Sequence, residues 1–189
     1  MKKIIALALS LMLLLGCVSA PAETAEEKDT ITMLGAFSIK HNKLPEGYSM
    51  YVLRNDDMEY QATISSADPE KPTYMLTIAF NDEWEGIDTL AQATEADIAA
   101  VKDDFYKVLE MDEGEITCEE GQNGLGTPVL IAKGPNGSFG AVYTIYMSHE
   151  IEVDIFYTAD DKAVTDDDIN TVLTFLTDVE FTPVEIEKE

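Results

Sequence analysis

Apolar and polar positions divide the chain into three stretches. After Lys2 and Lys3 comes an apolar run, Ile4 to Leu15, broken only by Ser10. From Val18 to Thr30 the residues are Ala, Pro, Glu, Thr, Lys and Asp with almost nothing to bury. Beyond Ile31, apolar residues recur at intervals of two or near 3.6, the periods of a strand and a helix. The first run would span roughly 18 Å as a helix, well short of the ~30 Å hydrocarbon core. It therefore reads as a secretory signal and not as a permanent membrane span.

Within the third stretch, Ala36 to His41 predicts a first strand and Leu44-Pro45-Glu46-Gly47 a turn. Ser49 to Leu53 follows as a strand. Met58, Tyr60, Ala62 and Ile64 alternate with Glu59, Gln61, Thr63 and Ser65, which predicts a strand with one wet face. Tyr74, Leu76, Ile78 and Phe80 repeat the pattern across a connection at Asp68 to Pro72. Thr94 with Asp97 opens a helix in capping-box fashion. Its stripe is Ile98, Val101, Phe105, Val108 and Leu109, and Gly114 ends it. Ile116 to Glu119 is a short strand. Thr127 to Lys133 and Ser138 to Met147 flank Gly134-Pro135-Asn136-Gly137, a hairpin signal, and the second is apolar on both faces, as in a central strand. Ile151, Val153, Ile155 and Tyr157 alternate with Glu152 and Asp154. Thr165 with Asp168 caps a second helix carrying Ile169, Val172, Leu173 and Leu176, and Asp166 to Asp168 complement its dipole. Phe181 and Val184 return toward the body before a charged tail. The expected class is α+β, an antiparallel sheet flanked by two main helices.

The apolar run closes on Leu14-Leu15-Gly16-Cys17, which resembles the lipobox of bacterial lipoprotein signals. That likeness implies lipid attachment at Cys17 after removal of residues 1–16, with residues 17–30 as a tether, 31–184 as a single domain and 185–189 as an acidic tail. Two acyl chains suffice for stable anchoring, since each buried methylene contributes roughly 0.8 kcal/mol and one chain alone is marginal. The alternative is ordinary cleavage after Val18-Ser19-Ala20, releasing a soluble protein. As a flexible coil the tether would reach about 20 Å, more than a Debye length of about 8 Å, so an acidic domain stands clear of membrane surface charge.

Charge changes the picture most. The chain has 37 Asp and Glu against 12 Lys and Arg, a formal charge of −25. Loss of Lys2 and Lys3 with the signal leaves 10 basic side chains and a charge of −27. Such a surface repels phosphate backbones and anionic headgroups, which argues against a nucleic-acid partner and against direct docking on the membrane face. Only Cys17 and Cys118 are present, so a lipidated Cys17 leaves Cys118 as a strand residue without chemistry. Without lipid, a Cys17–Cys118 disulfide is open.

Taken in order, Phe37-Ser38-Ile39 before Leu44-Pro45-Glu46-Gly47-Tyr48, strand pairs, a middle helix, further strands and the closing Asp168-Ile169…Val172-Leu173…Leu176 helix resemble the PsbP-like family over about residues 31 to 182. The resemblance implies an antiparallel sheet sandwiched by helices, an α/β/α arrangement, and a non-catalytic accessory or binding role. It carries no catalytic set to transfer.

Candidate chemistry is sparse. His41 and His149 read as polar turn residues, and Asp103-Asp104 and Glu119-Glu120 as pairs that so acidic a chain produces without a role. Calcium is the stronger rival, since hard cations take oxygen ligands. Asn81, Glu83 and Glu85 stand at the first, third and fifth positions of an EF-hand-like loop with Gly86 at the sixth, but Asp88 and Gln92 break its eighth and twelfth positions. Asp160-Asp161 with Asp166 to Asp168 is a weaker set. Trp84, in the same loop, is either a partner contact or a core residue folded over the helix. Gly124-Leu125-Gly126 reads as a turn. The functional expectation is an anchored extracytoplasmic binding or accessory module, not an enzyme, for a protein partner with a basic patch; the alternative is a calcium-binding envelope protein.

Overall fold

A computed structural model of the chain describes residues 30–32, 37–40, 44–56, 58–108, 116–159, 161–175 and 180–183. Strands β1 (Thr30–Thr32), β2 (Phe37–Lys40), β3 (Tyr48–Asn55), β4 (Glu59–Ser66) and β5 (Thr73–Phe80) precede helix α1 (Glu95–Val108). Then come β6 (Thr117–Gln122), β7 (Pro128–Lys133), β8 (Gly140–Tyr146), β9 (His149–Phe156), helix α2 (Asp166–Phe175) and β10 (Glu180–Pro183). A seven-stranded sheet has the order β3-β4-β5-β9-β8-β7-β6, every pairing antiparallel. The expectation of an α+β chain with an antiparallel sheet and two main helices holds. A second sheet, β1-β2-β10, was not expected: the early strand and the Phe181 segment pair with each other, separately from the main sheet.

Side chains of the large sheet sort onto two faces. On one, Ala62, Leu76, Val153 and Val142 lie in register across β4, β5, β9 and β8, and Ile169 and Val172 of α2 close over this cluster. On the other, Leu130, Ala132, Ala141, Tyr143 and Ile145 of β7 and β8 pack with Val101 and Phe105 of α1. β8 thus carries apolar residues on both faces, and all but its last residue are buried. Gly140 permits that packing, because a Cβ there would lie 3.0 Å from both Ile169 and Val164. Both helices begin as their sequences require. Thr94 N–H donates to Asp97 Oδ2 at 2.8 Å, and Thr165 N–H to Asp168 Oδ2 at 2.8 Å. The β7–β8 connection turns through Asn136 and Gly137 at φ 54° and 72°.

The wet face expected of β4 is corrected at one position: Glu59, Thr63 and Ser65 keep partial exposure, whereas Gln61, flanked in register by Arg54 of β3 and Thr77 of β5, is only 6% exposed. Alternation assigned the faces correctly but not their solvation. Cys17, the signal and tether, His41, Leu109 to Gly114, Asp160, Leu176, Val184 and the tail lie outside the described residues.

Candidate functional site

The site grows out of β9, the middle strand of the seven. Glu150, Glu152 and Asp154 alternate with Ile151, Val153 and Ile155, so the three carboxylates share the face opposite α2. Register sets their neighbours: Ile145–Glu150–Ala79, Tyr143–Glu152–Thr77–Gln61 and Ala141–Asp154–Met75–Thr63. The α1 cluster draws on β7 and β8 but takes no residue from β4, β5 or β9, so this half of the face carries the polar row instead.

Glu150 has a structural task. The loop after β5 forms a single 3-10 turn, Asp82–Trp84, capped by Asn81, whose Oδ1 accepts from Glu83 N–H. That loop is stitched to the β8–β9 turn: Asn81 N–H donates to Ser148 O, Met147 N–H to Asp88 O and Ser148 N–H to Ile87 O. Met147 and Ser148 take the positive φ values of a tight hairpin turn, 47° and 64°. The docked loop delivers donors to one oxygen. Glu150 Oε1 accepts from Trp84 Nε1 at 2.8 Å, Asn81 Nδ2 at 2.9 Å and the Tyr143 hydroxyl at 3.0 Å. Burial raises the Tyr143 phenol well above its usual range, with the Glu150 charge adding to the effect, so it remains a donor.

Glu152 and Asp154 have no such shell. Both are half-buried, and neither accepts a hydrogen bond among the described residues. Loss of solvation raises the Glu152 carboxyl well above the usual range, with the charges of Asp154 and Glu150 adding to it, and pushes Asp154 up to about 7. The described cationic side chains are engaged elsewhere. Arg54 pairs with Asp56 and Glu59, Lys133 with Asp166, Lys162 with Glu70, and Lys102 with Glu120 at 3.9 Å. Lys71 donates to Glu46 O and lies over the Tyr48 ring. Beside the row, the Gln61 amide makes no side-chain hydrogen bond among the described residues although it is buried. An unpaired buried amide costs about 1–3 kcal/mol, so it requires an explanation.

The residues singled out from sequence fall differently. Trp84 is 6% exposed and packs in the α1 cluster, so the partner-contact reading gives way to the core one, and its indole N–H is held by Glu150. Both ends of the Asn81 amide are used within the protein, while Glu83 and Glu85 lie on the surface. Among the described residues no three His, Cys, Asp or Glu are grouped to hold a metal ion. His149 stands at the expected turn but is 4% exposed, with Nδ1 at 2.8 Å from Met147 O and its ring edge-on to Phe80. Burial lowers its pKa, and the carbonyl contact opposes that. Cys118 is a free, half-buried thiol on β6 whose pKa burial raises, which makes it a poor nucleophile. Gly124 to Gly126 form the expected turn, held by Asn123 Oδ1. The carboxylate row itself was missed. Its signal was present: acidic residues alternating along a strand next to one that is apolar on both faces.

No protein-family model, curated protein or solved structure matches the chain.

Proposed function

We propose that this chain is a membrane-anchored extracytoplasmic lipoprotein whose domain is a non-catalytic binding or accessory module for a protein partner with a basic patch. The observation that carries the reading is the carboxylate row of β9. It sits on the half of a sheet face outside the α1 cluster, and Arg54, Lys102, Lys133 and Lys162 are each paired with other acids. Across an interface, opposite potentials steer encounter and like ones reject. The formal charge of −25 extends the same preference over the whole surface.

Anchoring rests on the lipobox resemblance at Leu14-Leu15-Gly16-Cys17. Among the described residues no helix is long and apolar enough to cross a membrane. The PsbP-like resemblance belongs to the same proposal, and the antiparallel sheet with α1 and α2 packed on opposite faces supports it. The test is incorporation of labelled palmitate with fractionation of the cells. The parent incorporates label and sediments with membranes, and Cys17→Ser does neither. Unlabelled protein in the soluble fraction would favour cleavage after Ala20.

A further inference from the structure

We propose that Glu152, Asp154, Gln61 and Thr77 form a binding site for a primary ammonium group. The inference rests on the binding-module reading and names the chemistry that its site takes. Glu152 and Asp154 lie two residues apart on one face, roughly 6.8 Å between Cα atoms. An ammonium with charge-assisted bonds of about 2.8 Å to each, its donors splayed tetrahedrally, would bridge oxygens roughly 4.6 Å apart. Gln61 stands two strands away in the same register, roughly 9.6 Å at Cα with Thr77 between, so its carbonyl can supply a third acceptor. Three acceptors that do not share one plane match the three tetrahedrally splayed donors of an ammonium better than the flat fork of a guanidinium. A hard cation takes six or more oxygen ligands, several of them carboxylates, and among the described residues no three His, Cys, Asp or Glu are grouped to hold one. The second observation is Gln61 itself: an amide more than nine-tenths buried, on the same face as the row, with no hydrogen-bond partner among the described residues. A ligand between Gln61 and Glu152 would give that amide its missing bond.

Binding is linked to protons. The groups facing the site are Glu150 on β9, Tyr143 on β8, Glu59 on β4 and Arg54 and Tyr51 on β3, while β5 presents Thr73, Met75, Thr77 and Ala79. Arg54 is held by Asp56 and Glu59. Burial raises both carboxyls, and the charges of Asp154 and Glu150 add to the effect at Glu152, so the empty site retains a proton near neutral pH. An arriving ammonium stabilises the carboxylate form, and that proton passes to buffer.

The experiment is calorimetric titration of the full chain in neutral detergent at 0.15 M salt, in two buffers of different ionisation enthalpy. The probes are cadaverine and N-acetyl-lysine amide. The expected result is one site per chain with proton release, at least tenfold weaker binding in Glu152→Gln and at least threefold weaker in Gln61→Leu, and no change in Glu119→Gln, an exposed acid on β6. Gln61→Leu removes an unpaired amide, so its melting temperature should not fall, which separates lost binding from lost folding. Tighter binding of capped lysine identifies a partner's side chain as the source, and tighter binding of cadaverine a free amine. Failure of both probes to bind, or equal binding to Glu152→Gln and parent, overturns the site. Capture of a partner in cells alongside such a failure leaves the module standing, and ammonium binding with no partner captured does the reverse.

Discussion

Replacing Glu150 by leucine should cost about 3–5 kcal/mol. One oxygen of this carboxylate holds Trp84, Asn81 and Tyr143 at 2.8, 2.9 and 3.0 Å. Trp84 and Tyr143 are 6% and 5% exposed, so neither donor can turn to bulk water when the acceptor is lost. A buried donor left unpaired costs about 1–3 kcal/mol, and bonds to a charged group are at the strong end. Asn81 is half-buried and can find water, so its share is small. Glu150→Gln keeps an acceptor oxygen without its charge and should cost about 1–2 kcal/mol. Urea unfolding followed by the fluorescence of Trp84, the only tryptophan, reads the site directly. With a slope of about 2 kcal/mol per molar, the leucine variant should unfold about 2 M earlier than the parent. A leucine midpoint within about 0.3 M of the parent would refute the reasoning, since such a change is smaller than the loss of a single buried bond.

Other consequences follow from caps, turns and titration. Asp154 carries a raised pKa, so its neutral form is favoured in the fold: the stability it contributes is full below about 3.8 and is lost as pH rises through about 7. A shift of that size is at most about 4 kcal/mol, and sharing with Glu152 reduces it to about 2. Asp154→Asn should therefore be more stable than the parent by about 2 kcal/mol at pH 8 and equal to it near pH 4; a difference independent of pH would contradict the linkage. Thr165→Ala removes the side chain that accepts from Asp168 N–H and should cost about 1 kcal/mol by thermal melting, and an unchanged melting temperature would show the cap to be idle. Gly137 has φ 72° and a Cβ would lie 2.8 Å from Val164 O, so Gly137→Ala should destabilise by about 1–3 kcal/mol, whereas Gly126→Ala, with open space around it, should cost less in the same urea assay.

Local chemistry was legible in the sequence, and partnership was not. Both helix starts, the Asn136-Gly137 hairpin and the doubly apolar β8 follow from residues a few positions apart, and the fold realises them. The three-stranded sheet joins Phe37–Lys40 to Glu180–Pro183 across nearly the whole chain, a pairing no local pattern encodes. Gln61 shows the second limit: alternation says which side chains share a face and leaves open what covers it. The Glu150 cluster shows a third. Its donors at Asn81 and Trp84 lie 69 and 66 residues away, so a loop rich in oxygen ligands read as a calcium candidate when its Asn was needed as a cap and a donor. Trp84 was ambiguous for the same reason, since its burial depends on a loop docking against a turn formed much later in the chain.

The central claim is a module that works at a membrane through a protein partner. In-cell crosslinking of the tagged full chain beside Cys17→Ser, with mass spectrometry of what is captured, tests it most directly. The account predicts one dominant envelope protein with a basic surface, captured by the anchored form and lost with the anchor. No specific capture from either form would contradict it.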